Sequence, residues 1–101
     1  MRQKFGPLKK INQANIKKVP KDQPGVYGIF TDSGELQKVG RAKKTRAPKR
    51  IVESANEIKN AKRRAEKFAF ISTPTVEDAK KLETKLIRRR KPPFNKEEKG
   101  K

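Results

Sequence analysis

Glu83 is the carboxylate whose neighbours explain it least. It falls on or beside the apolar stripe of a predicted helix, four residues after Ala79 and three before Leu86. Glu77 has Lys81 four residues on, the spacing of a helical ion pair, whereas Glu83 has Ile87 there. A charge turned toward a core is costly without a partner, so Glu83 requires a cation: Lys80, an Arg from elsewhere, or a metal ion. Tyr27, the only tyrosine, alternates with Val26 and Gly28. It is either a core aromatic or a hydroxyl that positions or deprotonates a water beside a bound phosphate. A phenol with the ordinary pKa of about 10 needs a nearby cation to act as a base at neutral pH. Residues 40–50 contain Arg41, Lys43, Lys44, Arg46, Lys49 and Arg50. Such a run serves as a solvated, phosphate-contacting surface. Between a strand end and a helix start, its arginines can also grip one phosphate with help from backbone N–H groups. Asn95 follows Pro92-Pro93-Phe94, where its spacing alone suggests a turn.

The missing residue types limit this chemistry. Without His or Cys there is no zinc finger, no Cys nucleophile and no Ser-His-Asp triad. A metal would rest on oxygen ligands, which favours magnesium or manganese. Lys and Arg number 29 against 11 Asp and Glu, a net charge of +18, and every third of the chain shares the excess. A body this basic attracts DNA or RNA through counterion release. The alternatives are an acidic protein partner, or charge that serves solubility alone. The 101 residues make one domain, 1–101, with a modest core. No apolar run approaches the roughly 18 to 20 residues of a membrane span, and no secretory signal is seen. The expectation is a cytoplasmic protein, with nucleoid association as an extension of its charge.

The elements that must hold these residues follow from the hydrophobic pattern. Leu8, Ile11, Ile16 and Val19 suggest a first helix that stops before Pro20. Residues 25–31 are rich in β-formers, Asp32-Ser33-Gly34 has turn chemistry, and residues 36–39 offer a second strand, together a hairpin. Pro48 suits the first turn of a helix, which Ile51, Ala55, Ile58 and Ala65 carry to about residue 65. Phe68-Ala69-Phe70-Ile71 reads as a third strand, buried on both faces. Thr75, with Asp78 three residues on, starts a last helix whose inner face is Val76, Ala79, Leu82, Leu86 and Arg90, and Pro92-Pro93 ends it. The fold class is a small α/β or α+β protein, with a three-stranded, mainly antiparallel sheet flanked by helices.

From about residue 24 to 95, leaving a short basic tail at 96–101, the chain resembles the GIY-YIG nuclease family. Gly25-Val26-Tyr27 corresponds to the first motif and Lys38-Val39-Gly40, followed by Arg41, to the second. The segment from Leu82-Glu83 through a basic run to Lys91-Pro92-Pro93-Phe94-Asn95 is similar to the family's metal-binding glutamate region. Two departures stand out. Lys38 replaces the second motif's tyrosine, and the helix arginine falls at Arg50, with Arg46 in reserve, only if two extra residues are allowed. The resemblance implies a metal-dependent endonuclease that hydrolyses DNA phosphodiester bonds. In it Glu83 would hold one Mg2+ or Mn2+ ion and Tyr27 would orient or deprotonate water. Arg41 and Arg50 would neutralise phosphoryl charge, Lys38 would lower the phenol pKa or touch phosphate, and Asn95 would brace the site. Lys43, Lys44, Arg46, Arg63, Arg64, Arg88, Arg89 and Arg90 would add backbone affinity without sequence preference. Two other readings remain: a noncatalytic nucleic-acid-binding module on the same scaffold, and a basic ribosome- or RNA-associated protein. A protein partner could supply target specificity in any of them.

Overall fold

The computed structural model describes residues 5–95. Two helices pack on an antiparallel sheet, one on each face. In chain order the elements are β1 (Lys9–Lys10), α1 (Gln13–Lys17), β2 (Gly25–Phe30), β3 (Leu36–Ala42), α2 (Ala47–Asn60), β4 (Lys67–Ser72) and α3 (Val76–Arg90). The strand order is β1-β4-β2-β3, and every pairing among the described residues is antiparallel. The α+β class holds, with four strands rather than three. The predicted tail, residues 96–101, lies outside the described residues.

The strand pleat divides the core between the two helices. On one face Tyr27 and Ile29 of β2, Ala42 of β3 and Phe68 of β4 pack against Ile51, Ala55 and Ile58 of α2. On the other, Val26 of β2 and Val39 of β3 pack against Ala79, Leu82 and Leu86 of α3. Because β2 lies between β4 and β3 and has a helix over each face, all six of its residues are buried. β4 is less buried than its apolar sequence suggests: Phe68 and Ala69 are enclosed while Phe70 and Ile71 are partly exposed.

The hairpin closes through Asp32-Ser33-Gly34. The Thr31 N–H donates to the Glu35 carbonyl at 2.9 Å, and Gly34 takes φ +95°, a left-handed conformation that costs a residue with a Cβ. Thr75 starts α3 as expected, its hydroxyl oxygen accepting from the Asp78 N–H at 3.1 Å. Glu77 and Asp78 in the first turn and Arg88, Arg89 and Arg90 in the last complement the helix dipole.

The structure also corrects the sequence reading in each of the three helices. The first helix shrinks to five residues, capped by Asn12, because the preceding Lys9 and Lys10 pair with Lys67 and Phe68 as β1. α2 stops at Asn60, not near 65. The Arg63 N–H donates to the Ile58 carbonyl and the Lys62 N–H to the Lys59 carbonyl, with Lys62 at φ +62°. That is a Schellman turn without its usual glycine, so no punctuation in the sequence announces it. Ala65 is buried, but from the loop. On α3 the inner face is only Ala79, Leu82 and Leu86, since Val76 at the N-terminus is 44% exposed and Arg90 is solvated.

Asn95 completes the fold at the free side of β3. Its Oδ1 accepts the Val39 N–H at 2.6 Å and its Nδ2 donates to the Val39 carbonyl at 2.8 Å. The side-chain amide reproduces a strand pairing and covers an edge that would otherwise stay open. Asn95→Ala leaves both Val39 groups without that partner. It is expected to cost about 1–3 kcal/mol, read as a lower urea midpoint with faster hydrogen exchange at the Val39 amide.

Candidate phosphodiester site

The first two glycine motifs meet in the sheet because register puts Tyr27 of β2 directly opposite Gly40 of β3. The Tyr27 ring lies across Gly40, where a Cβ would overlap the ring and its hydroxyl. The phenol thus crosses the neighbouring strand toward α2, where its hydroxyl meets the Ser54 hydroxyl at 2.6 Å. Tyr27 is 2% exposed. Burial pushes its pKa above the ordinary value of 10.0, while the Ser54 hydrogen bond and the charges of Lys38 and Arg50 pull down and that of Glu83 pushes up. The phenol therefore keeps its proton at neutral pH, which suits holding a water or phosphate oxygen rather than abstracting a proton.

Alternation along β3 sends the two motif cations to different faces. Lys38 lies on the α2 side, its Nζ 3.1 Å from Glu57 Oε1 and 5.6 Å from the centre of the Phe94 ring. Its side chain is 9% exposed, so its ammonium acts on the phenol through the field and not by reaching a phosphate in solvent. Arg41 points to the α3 side, where Nη1 stands 3.4 Å from Glu83 Oε1. The cation that Glu83 required is thus partly supplied by Arg41. The field of all three charges reaches the Tyr27 hydroxyl, Lys38 and Arg50 favouring its ionised form and Glu83, from the other face, opposing it.

Beyond Ala42 the chain leaves the sheet and turns into α2 around a cleft of about 350 Å3. Arg41, Lys43, Arg46 and Arg50 line it, with Ala42 and Val76 of α3. Among the described residues the one ion pair of Arg50 is a long contact with Glu53, at 4.0 Å with both groups about half exposed, which leaves its guanidinium available to an anion. Thr45 enters α2 at φ +73°, strained for a β-branched residue, and no side chain caps the helix. Lys44 is exposed in the same turn without lining the cleft.

The remaining basic residues are not gathered here. Arg63 and Arg64 follow the C-terminus of α2, about 20 Å from its start at 1.5 Å per residue, and Arg88, Arg89 and Arg90 occupy the far end of α3. The sequence reading missed Ser54 and Glu57. Ser54 had a signal, since it falls on the stripe of Ile51, Ala55 and Ile58, where a buried hydroxyl must find a partner. Glu57 had none, being an exposed helical acid until Lys38 is placed beside it.

Among the described residues no cluster of three or more acidic side chains could cage an ion. Glu83 alone fits as a hard oxygen donor: its carboxylate is 20% exposed and its oxygen is already matched to a cation. An ion there would keep most of its shell as water or phosphate oxygens, as magnesium does.

Tyr27 is the only tyrosine, so alkaline difference absorbance reads it alone. Its midpoint is expected above 10 and higher still in Ser54→Ala, which removes a group favouring the phenolate. Because the folded pKa lies above the unfolded one, this contribution to stability is complete below about pH 10 and lost as pH rises through the folded value. Gly40→Ala drives a methyl into the Tyr27 ring, for an expected loss of about 1–3 kcal/mol by thermal melting and a displaced Tyr27 titration.

Comparison with known proteins bears on this arrangement. Residues 23–96 match the family model described as the UvrC-like GIY-YIG domain. The chain is 39% identical over 80 residues to the UvrABC system protein C of Caulobacter vibrioides, covering 73% of this chain and 12% of that protein. It is 34% identical over 89 residues to the protein of the same name from Rhizobium meliloti, covering 82% and 13%, and 33% identical over 91 residues to that of Chelativorans sp., covering 84% and 14%. The chain thus spans about an eighth of the length of these relatives.

Proposed function

The chain belongs to the family of UvrC-like GIY-YIG domains, and on that ground we propose that it is an endonuclease that hydrolyses DNA phosphodiester bonds with one divalent ion, Mg2+ or Mn2+. The observation that carries this reading is the convergence at the end of β3. Arg41, paired with Glu83 of α3, lines one cleft with Arg46 and Arg50, and the phenol of Tyr27 lies buried on the α2 side against Ser54.

A phosphodiester entering the cleft meets Arg46 and Arg50 first, with Lys43 at the rim. Its charge competes with Glu83 for Arg41, whose single 3.4 Å contact is partly exposed and readily exchanged. Arg41, in turning to a phosphoryl oxygen, gives up its contact with Glu83, the carboxylate that would hold the ion. When bound, that ion supplies charge for the phosphate and for the leaving oxygen. Tyr27, held in rotation by Ser54, donates its O–H to the attacking water and sets its line of approach, while that water's proton passes to solvent and the leaving oxygen takes one from solvent. Arg41 and Arg50 then neutralise the charge that grows on the phosphoryl oxygens. Lys38 tunes Tyr27 from beneath, and Asn95 holds β3 and hence Arg41 in place. The relatives' names assign them to a UvrABC system, and this chain is proposed to take its target from a protein partner as well, in the cytoplasm or on the nucleoid. No helix among the described residues is long and apolar enough to cross a membrane.

One observation favours a second reading, a noncatalytic nucleic-acid-binding module. Lys38 stands where the family's second motif has tyrosine, and its ammonium is committed to Glu57. Cleavage of supercoiled plasmid and of branched DNA at low salt, with Mg2+ or Mn2+, separates the two. Glu83→Ala is expected to lower cleavage a hundredfold or more, about 2.7 kcal/mol of barrier, with binding retained. Salt-sensitive binding without cutting in either protein would establish the second reading.

A further inference from the structure

We propose that the outer face of α3 is a second phosphate-backbone surface, separate from the cleft, so that one molecule holds two DNA backbones at once. This rests on the nucleic-acid reading above and adds a partner surface to it. The inner face of α3 is occupied by Ala79, Leu82 and Leu86 against the sheet, which turns the other half of the helix to solvent. That half carries Lys80, Lys81, Lys85, Arg88 and Arg89 along an open groove of about 650 Å3, with Glu77 as its one acidic residue among the described residues. Thr84 lies among them and keeps the groove floor low between the long cationic side chains.

Charge selects the occupant. From Lys81 to Arg89 the helix rises about 12 Å, over which one strand of a duplex presents three or four phosphates at about 3.4 Å each. Five cations against one anion exceed what local pairing can absorb, and they are long, mobile side chains able to follow a backbone. None of them lines the cleft, whose only residue from α3 is Val76, so the two surfaces share no cation. The cleft grips one strand near the chemistry, and α3 holds a second segment along the helix from Lys80 to Arg89, beginning about one turn past Val76. A DNA that offers two backbones at an angle, such as a fork or junction, satisfies both, whereas a single short strand fills only the cleft.

The test uses the full chain with the exposed triple substitution Lys80→Gln, Lys81→Gln and Lys85→Gln, its fold checked by thermal melting. Binding of a tetranucleotide and of a forked DNA with 12-bp arms is measured without metal from about 0.05 to 0.3 M salt. The expected result is unchanged tetranucleotide affinity, with the salt slope for the fork reduced by 2 to 3, about 0.9 per lost contact. Amide resonances of residues 80–89 should move with the fork and not with the tetranucleotide. Equal loss for both DNAs, or no loss for either, would overturn the second surface while leaving the cleft intact. Failure of both proteins to bind any DNA would overturn the nucleic-acid reading itself and this inference with it. Polyglutamate shifting residues 80–89 in wild type at concentrations where the fork does not would assign the face to an acidic protein and likewise overturn the inference.

Discussion

The Tyr27 ring lying across Gly40 is the contact on which the rest of the site depends. It works only because the antiparallel register sets the two residues opposite each other and because residue 40 has no side chain. Given that crossing, the phenol reaches Ser54 on α2, and α2 is anchored to the sheet through the same face by Ile51, Ala55 and Ile58. The helix start, with Arg46 and Arg50, is thereby placed beside the end of β3. From the other face α3 brings Glu83 to Arg41, so the edge strand becomes the line where two helices deliver opposite charges. The Asn95 amide on the Val39 peptide keeps that edge from fraying or pairing with another chain.

The second constraint is electrostatic. A molecule with extents of 34 × 31 × 25 Å carries a net charge of +18. Such a surface repels itself in the folded state and is relieved when a polyanion arrives. Binding and stability are therefore linked, and a nucleic acid that neutralises the cleft favours the folded chain by mass action. The ion pairs inside the site have the same character. Arg41 with Glu83 and Arg50 with Glu53 are long and partly exposed, weak enough to be exchanged for a phosphate. Lys38 with Glu57 is shorter and shielded on the lysine side, and it belongs to the scaffold.

Much of this was readable in the residues and some was not, for physical reasons. Strong local signals marked the hairpin: Asp32-Ser33-Gly34 has the chemistry its turn needs, and the β-formers on either side left few other choices. Thr75 as a cap and the Pro92-Pro93 stop framed α3 equally well. The early end of α2 carried no such mark, because Lys62 adopts the left-handed turn that glycine usually announces. β1 was unreadable, since two lysines have no strand propensity of their own and pair only because β4 offers an edge. Among site residues, Glu83's missing partner at Ile87 was a true signal. The division of Lys38 and Arg41 between faces was not readable, because the second strand was expected to end at residue 39 and continues instead through Ala42. What period and spacing could not supply was the burial of Tyr27, which raises its pKa, or the pairing of Lys38 with a helix nineteen residues away.

The central claim is that one divalent ion and one phosphate meet between Glu83, Arg41 and the start of α2. Paramagnetic broadening by Mn2+ tests this most directly, read on backbone amides of the full chain with a noncleavable phosphorothioate DNA bound. The account predicts broadening centred on residues 41–43, 46–50 and 82–84, stronger with DNA than without because phosphate releases Arg41, and abolished by Glu83→Gln. Broadening centred elsewhere on the chain, or unchanged by Glu83→Gln, would contradict it.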